Sequence, residues 1–93
     1  MVLRNFNKSH WVEIISKRIK NNIMSKFDLK KLGNNIRYLR KGQKISQENL
    51  AELIKKSRNY VGMIERAEVN TPVDTLFDIS NALNVDIKKL FEF

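Results

Sequence analysis

The chain has 93 residues, of which 42% are hydrophobic and none is cysteine, so we expect one small domain without disulfides or thiolate metal sites. No apolar run reaches the roughly 18 residues of a membrane span, and no segment has the apolar core of a secretory signal, which favours a cytoplasmic protein. Eighteen basic and ten acidic residues give a net charge of +8, which favours a polyanionic partner.

The positive charge is distributed unevenly along the chain. Residues 1–31 carry eight basic and two acidic side chains, residues 32–70 carry eight and four, and residues 71–93 carry two and four. A nucleic-acid footprint is one-sided in this way, whereas general solubility does not require it. The distribution therefore favours a nucleic-acid partner for the first three quarters of the chain.

The first 27 residues have the spacing of an amphipathic helix. Their apolar residues fall four apart and form one stripe, with Lys and Arg on the other side: Trp11, Ile15, Ile19, Ile23 and Phe27. Three interpretations stay open: the stripe packs on the body of the protein or on a second subunit, it binds a membrane surface or a partner protein, or the native product begins at Met24. We therefore separate an N-terminal extension, residues 1–27, from a domain of residues 28–93.

Helical spacing recurs through the rest of the chain, where glycine and proline are scarce. The first predicted helix covers residues 28–41, with Asp28 as its N-cap and Gly42 as its C-terminal stop. The second covers residues 47–55 and follows the N-cap Ser46.

The third predicted helix begins after the N-cap Ser57. Proline is typical of the first position of a helix, so Pro72 indicates that a fourth helix begins there. Asn84 can end that helix in the left-handed region. A short fifth helix covers residues 86–91. Because the connections are only a few residues long, these elements predict a compact all-α bundle of five helices.

Residues 45–66 have the length and connection of a helix-turn-helix, with two short helices separated by Lys55 and Lys56. Ser57 would direct free backbone N–H groups and the positive end of a helix dipole towards a phosphate or a groove floor. An ordinary helical hairpin has the same spacing, so the spacing alone leaves that alternative open.

The residues just inside Ser57 suit the recognition of bases. Arg58 can donate two hydrogen bonds to guanine O6 and N7, and Asn59 can pair with adenine N6 and N7, although both would also suit a solvated surface. Tyr60 and Met63 lie near the same exposed side. There they can contact sugars or a thymine methyl, or pack on the protein itself.

Five blocks of sequence follow one another over residues 32–91 and read LGNNIRYLR, ISQENLAEL, YVGMIER, TLFDISNALNV and LF. In order and spacing they resemble the Cro/phage-repressor class of helix-turn-helix proteins, also called XRE-type regulators. The resemblance implies a lambda-repressor-like bundle that reads the major groove as a two-fold dimer on a palindromic operator.

The residues assigned to DNA all lie in or next to the helix-turn-helix: Gln47, Lys55, Lys56, Ser57, Arg58, Asn59, Tyr60, Met63 and Arg66. By position in the family, Gln47 and Arg66 are expected near the phosphate backbone. Arg58, Asn59 and Met63 are expected near base edges, and the two lysines add phosphate contacts.

The resemblance also implies two structural features outside the DNA-contacting residues. Arg40 matches a helix-one arginine that pairs with a helix-three glutamate, here Glu65. The last helix and its neighbours are expected to form the dimer surface, because apolar residues so near a C-terminus are hard to bury in a monomer; the candidates are Ile87, Leu90, Phe91 and Phe93.

The chain departs from the family pattern at three positions. Lys55 occupies the turn position that glycine often holds, where a positive φ would be costly for lysine. Ala67 replaces the glycine expected after Glu-Arg, and the usual loop proline has moved one residue later, to Pro72. These departures affect the expected loop geometry and leave the expected fold unchanged.

Enzyme chemistry finds little support in the sequence. His10 is the only histidine, and we find no phosphate-binding glycine loop, nucleophile elbow or metal-ligand spacing. We therefore expect no catalytic site, no metal and no cofactor.

The sequence thus predicts a transcriptional regulator of the repressor type that binds double-stranded DNA as a homodimer. A phage repressor, a restriction-modification controller and the DNA-binding antitoxin of a toxin pair stay open within this class. A basic module that binds an acidic protein or lipid surface is the alternative from another class. Regulation is expected to act through the concentration of the protein itself or through a partner protein. The N-terminal helix is a candidate site for a partner protein.

Overall fold

A computed structural model describes residues 25–93, and the predictions for residues 1–24, including most of the N-terminal amphipathic helix, lie outside this range. Helix α1 spans Lys26–Gly42 and begins two residues earlier than the sequence predicts. Ser25 is its N-cap: the Asp28 N–H donates to Ser25 Oγ at 3.1 Å, and the Ser25 N–H donates to Asp28 Oδ2 at 3.4 Å. The prediction of Asp28 as N-cap is therefore wrong, because Asp28 is the third-residue partner of a capping box.

Three shorter α-helices follow: α2 over Gln47–Leu53, α3 over Arg58–Glu65 and α4 over Val73–Ala82. The predicted N-caps Ser46 and Ser57 are confirmed, since each hydroxyl accepts the N–H three residues later at 3.0 Å. Pro72, predicted at the first helical position, is instead the extended N-cap of α4, so the helix begins one residue later than predicted.

The last element is a 3₁₀ helix over Ile87–Phe91, so the prediction of a fifth α-helix is wrong. Its hydrogen bonds join residues three apart: the Lys89 N–H donates to the Asp86 carbonyl at 2.9 Å, and the Glu92 N–H to the Lys89 carbonyl at 3.3 Å. Short segments tolerate this tighter winding because few poor hydrogen bonds accumulate. Residues 25–93 thus form four α-helices and one 3₁₀ helix, without strands.

Every α-helix in the described range ends in the same turn. The second residue after the helix has a positive φ and donates to the carbonyl three residues back, and the next N–H donates to the carbonyl five residues back, which is the Schellman pattern. The left-handed residues, with φ between 55° and 60°, are Lys44, Lys55, Ala67 and Asn84. Asn84 fulfils its prediction, whereas Gly42 lies inside α1 and Lys44 is the residue that turns.

The core is formed by the apolar faces of all five elements, which share one buried cluster: Leu32, Ile36, Leu50, Ala51, Ile54, Val61, Ile64, Leu76, Ile79, Leu83, Ile87 and Leu90. Leu53 fits the helical spacing of the α2 stripe but is 59% exposed. Since α2 ends at Leu53 and turns inward at Ile54, the buried face of α2 consists of Leu50 and Ala51 with Ile54 beside them.

The side-chain amides of one α1 residue and of its C-cap residue donate hydrogen bonds to carbonyls in the C-terminal part of the fold. Asn35 Nδ2 donates to the Lys89 and Leu90 carbonyls at 2.8 and 2.7 Å. Gln43 Nε2 donates to the Leu83 carbonyl at 2.6 Å. Within residues 25–93, no helix combines the length and the hydropathy that a bilayer crossing requires.

Candidate nucleic-acid interface

Helices α2 and α3 form the helix-turn-helix, and residues 54–57 connect them. Ile54 is buried in the core, Lys55 takes the left-handed conformation with φ 57°, and Ser57 caps α3. The Lys56 N–H donates to the Ala51 carbonyl at 2.9 Å, which satisfies a carbonyl at the end of α2. The turn therefore fixes where α3 begins relative to α2.

The inner face of α3 is anchored to α1 by a buried ion pair. Arg40 Nε donates to Glu65 Oε2 at 2.6 Å, and Arg40 Nη2 donates to Glu65 Oε1 at 3.1 Å. The two side chains are only 7% and 2% exposed. Arg40 Nη1 also donates to the Ile45 carbonyl at 2.7 Å, so the guanidinium links α1, α3 and the chain entering α2.

Gln47, which the resemblance assigns to the phosphate backbone, belongs to this network. Its Nε2 donates to Glu65 Oε1 at 3.0 Å, and the residue is half-buried. Since Glu65 occupies one N–H of the amide, a phosphate contact through the Gln47 side chain must use the second N–H.

Beside this ion pair, the backbones of α1 and α3 approach each other closely. A Cβ atom at Gly33 of α1 would lie 2.6 Å from the carbonyl oxygens of both Ile64 and Glu65. Only glycine lets α1 approach the end of α3 so closely, because any side chain would overlap these backbone atoms. The inner face of α3 is thus held against α1 by the ion pair and by the close packing at Gly33.

The outer face of α3 and the preceding turn are exposed. Residues 55–59 form an uninterrupted exposed run, which includes five of the residues that the sequence assigns to DNA. The Ser57 hydroxyl already accepts the Tyr60 N–H at 3.0 Å, so its role here is that of a cap. Asn59 Nδ2 lies 3.6 Å from Met63 Sδ, one helical turn further along.

Tyr60 and Met63 are half-buried, unlike the run before them. Tyr60 packs against the core, and Lys56 Nζ lies 5.8 Å from the centre of its ring. This distance suits a cation–π contact, which orients the lysine over the ring. Tyr60 thus packs on the protein, and its contact with DNA stays a prediction.

Two arginines of the outer face form exposed ion pairs with glutamates that the sequence analysis did not select. Arg58 Nε lies 3.5 Å from Glu48 Oε1 of α2. Arg66 Nε and Nη2 donate to Glu68 Oε2 and Oε1 at 2.9 and 3.3 Å. The hydrogen bond and charge of Glu68 raise the pKa of the Arg66 guanidinium, and the hydrogen bond from Arg66 lowers the pKa of the Glu68 carboxyl.

The two glutamates differ in whether their ion pairs could be predicted from the sequence alone. Glu68 follows Arg66 across Ala67, whose place in the pattern is usually held by glycine, and a left-handed turn there brings the two side chains together. Glu48 is ten residues from Arg58, and only the tertiary packing of α2 on α3 brings them close.

The C-terminal residues predicted to form a dimer surface divide into two groups. Ile87 and Leu90 are buried in the chain's own core, so the expectation that they are hard to bury in a monomer is wrong. The 3₁₀ helix achieves this burial by packing against α1 and α4. Phe91 is half-buried and Phe93 is 52% exposed, which leaves these two for contact with a second chain.

No group of three His, Cys, Asp or Glu side chains capable of holding a metal occurs in residues 25–93. His10 lies outside the described residues. The chemistry of the described surface is therefore that of basic and amide side chains on a helix, which suits recognition of phosphates and base edges.

Comparison with known proteins agrees with this geometry. Residues 36–90 match the profile of the helix-turn-helix family. The Control protein C.SmaI from Serratia marcescens is 41% identical over 59 residues, which cover 63% of this chain and 70% of that protein. The crystal structure of the restriction-modification controller protein C.AhdI from Aeromonas hydrophila matches with a TM-score of 0.68 at 38% identity, covering 69% of this chain and 97% of that one. The resemblance indicated by the sequence blocks is confirmed: this chain belongs to the Cro/C1-type, or XRE-type, helix-turn-helix family of DNA-binding transcription regulators.

Proposed function

We propose that this protein binds a short, two-fold symmetric DNA operator as a homodimer and reads bases with the outer face of α3. The observation that carries the proposal is the exposed run of residues 55–59 at the start of a helix whose inner face is fixed by the Arg40–Glu65 pair. A helix that is fixed on its inner face and carries exposed polar side chains at its N-terminus is the arrangement that direct readout requires.

The dimensions and chemistry of α3 support major-groove binding. An α-helix with its side chains is about 10–12 Å wide, and the major groove of B-DNA is about 12 Å wide. Helix geometry leaves the first-turn N–H groups of Arg58 and Asn59 without intrahelical acceptors, so they are available to a phosphate. Lys55 and Lys56 are exposed immediately before them and add positive charge for the backbone.

The C-terminal aromatic residues support a dimer. The rings of Phe91 and Phe93 lie 6.4 Å apart at the end of the chain, and Phe93 is largely exposed. A dimer on a two-fold operator must hold its two copies of α3 about 34 Å apart, one helical turn of DNA, and on the proposal these rings form its contact.

Among regulators of this class, we propose a restriction-modification controller in preference to a phage repressor or an antitoxin. The support is that both relatives described above are named as control or controller proteins. Neither name is that of an enzyme, which agrees with a regulator without catalytic activity. A controller of this kind would bind DNA beside the genes that it regulates, so the DNA preceding its own gene is the first duplex to test.

The test is enrichment of binding sites from a pool of random duplexes by the full chain. We expect one enriched motif with two-fold symmetry, bound by two chains per duplex in sedimentation or native mass spectrometry. Failure to enrich any motif would contradict sequence-specific regulation and favour a basic protein-interaction module. One chain per duplex would contradict the dimer alone.

A further inference from the structure

The outer face of α3 carries an arginine whose hydrogen-bonding edge is already occupied. We propose that Glu68 competes with a DNA phosphate for Arg66, so that Glu68 limits the sequence-independent part of the affinity for DNA. This inference rests on the DNA-binding function proposed above. It concerns the affinity shared by all duplexes and not the base preference.

Helical geometry aligns Arg66 with the residues proposed to contact DNA. Asn59, Met63 and Arg66 are separated by four and three residues, so they lie along one line of the α3 surface. Arg66 follows directly after the last residue of α3, with its side chain 55% exposed. A duplex that contacts Asn59 and Met63 therefore passes within reach of this guanidinium.

Glu68 binds Arg66 through the edge that a phosphate would use. Arg66 Nε and Nη2 donate to the two carboxylate oxygens at 2.9 and 3.3 Å, which is a two-point contact. Carboxylate and phosphate present two oxygens to a guanidinium in the same way. A phosphate can take this edge only after Glu68 has left it.

The third nitrogen of the guanidinium is also confined. Arg66 Nη1 lies 2.9 Å from the place where a Cβ atom at Gly62 would stand, so the guanidinium occupies the space of a missing side chain. Because Nη1 lies against the helix, it is less open to a duplex than the edge that Glu68 occupies.

The backbone assembles this pair before any DNA is present. Ala67 takes the left-handed conformation with φ 60°, and the Glu68 N–H donates to the Met63 carbonyl at 2.8 Å. These features bring Glu68 back beside Arg66, and little further ordering is needed for the contact. Since the carboxylate already occupies this edge, a phosphate that replaces it gains little, and Arg66 adds little to the affinity of the wild type for DNA.

The experiment compares Glu68→Gln with wild type on the operator and on a random duplex over a series of salt concentrations. Glutamine keeps the shape and removes the charge, so Arg66 becomes free for a phosphate. We expect about threefold to fivefold tighter binding to both duplexes at low salt. The slope of log K against log salt should steepen by about 0.9, the value for one added phosphate contact.

Two further variants separate release of Arg66 from a general charge effect. Glu52→Gln removes the same charge from an exposed residue of α2 that makes no ion pair in the described range, so it should leave the salt slope unchanged. Arg66→Ala should weaken binding little in the wild type, and it should abolish the gain in the Glu68→Gln background.

The proposal is overturned if Glu68→Gln changes binding no more than Glu52→Gln does. It is also overturned if Arg66→Ala weakens the wild type as much as it weakens the Glu68→Gln variant, because Arg66 would then contact DNA with Glu68 in place. Failure of the proposed function has a different signature, since the wild type would then bind the candidate operator and random duplexes equally. Melting temperatures of all variants show whether the fold is retained.

Discussion

Helix α3 has an arginine–glutamate pair on its inner face and another at the end of its outer face. The inner pair, Arg40–Glu65, is buried, and its shortest contact is 2.6 Å. The outer pair, Arg66–Glu68, has a similar shortest contact of 2.9 Å, but about half of each side chain is exposed to water. The same two chemical groups therefore hold the fold together in one place and remain exchangeable in the other.

Burial determines this difference. In water, two charges gain little by pairing because solvent screens them and both side chains lose freedom. In the interior, the loss of one partner leaves an uncompensated charge, which strongly destabilises the folded state. On this basis, substitutions of the inner face should change the free energy of unfolding, and substitutions of the outer face should change DNA binding.

The largest effect is expected from Glu65→Ala. This change removes the acceptor of Arg40 Nε and Nη2 and of Gln47 Nε2, and leaves the Arg40 guanidinium buried. We expect a loss of about 3–5 kcal/mol in the free energy of unfolding, measured by urea denaturation. The matched control is Glu68→Ala, which breaks the exposed pair and should change the free energy of unfolding far less. Equal losses for the two variants would contradict the comparison.

The next largest effect is expected from a side chain added at the inner face of α3. Gly33→Ala places a Cβ atom 2.6 Å from two backbone carbonyl oxygens, so α1 and α3 must separate. We expect a loss of about 1–3 kcal/mol in stability, measured in the same denaturation assay. Gly42→Ala is the control, because a Cβ there meets nothing within 4 Å, and it should stabilise α1 by about 0.5–1 kcal/mol. A neutral Gly33→Ala variant would show that the close approach can relax.

At the outer face, Arg58→Ala should affect binding and leave the fold intact. We expect weaker binding to the operator by about 1–3 kcal/mol and a relaxed preference at one base pair, measured by titration of single-base operator variants. Stability should change by less than about 0.5 kcal/mol, since the side chain is exposed. Lys56→Ala should instead weaken all duplexes alike. An equal loss on operator and random DNA for Arg58→Ala would argue against base readout.

Ala67→Gly tests the turn that joins the two faces at the end of α3. Ala67 has φ 60°, a conformation that glycine adopts without the steric penalty of a Cβ atom. We expect a gain of about 1 kcal/mol, less the entropy that glycine adds to the unfolded chain. Ala82→Gly within α4 is the control and should destabilise the protein, because that residue is helical. Melting temperatures that move in the same direction would contradict the assigned strain.

The smallest effect is a pH dependence of the outer pair. The hydrogen bond from Arg66 lowers the pKa of the Glu68 carboxyl in the folded state. Its contribution to stability is therefore present above the ordinary glutamate pKa of about 4.3 and is lost as the pH falls through the lowered value. The wild-type melting temperature should fall slightly more than that of Glu68→Gln between about pH 5 and about pH 3. Parallel curves would show that the pair contributes nothing measurable.

Local chemistry explains why much of the helix-turn-helix could be predicted. Ser46 and Ser57 cap helices through bonds that span three residues, so the sequence contains both partners. Asp28 also forms a capping bond, but its role as third-residue partner depends on an extended Ser25. Lys44, and not Gly42, takes the left-handed conformation, so α1 does not end at the residue that turns most easily.

The remaining features depend on contacts that sequence spacing does not contain. Ile87 and Leu90 are buried because the 3₁₀ helix lies against α1, where Asn35 Nδ2 donates hydrogen bonds to two carbonyls of the 3₁₀ helix. Glu48 reaches Arg58 only through the packing of α2 on α3. The exposure of Arg58 and Asn59 agrees with a DNA-binding role, and that role stays a prediction.

The left-handed turns at the helix ends bear on how long this protein persists in a cell. Each left-handed residue other than glycine raises the free energy of the folded state by about 1 kcal/mol, and asparagine by less. A difference of about 1.4 kcal/mol changes the unfolded population tenfold, and proteases degrade that population. Substitution of Lys44, Lys55 and Ala67 by glycine should therefore lengthen the protein's half-life in the cell. A regulator that acts through its own concentration responds faster when it is removed faster, so the absence of glycine at these turns would favour rapid turnover.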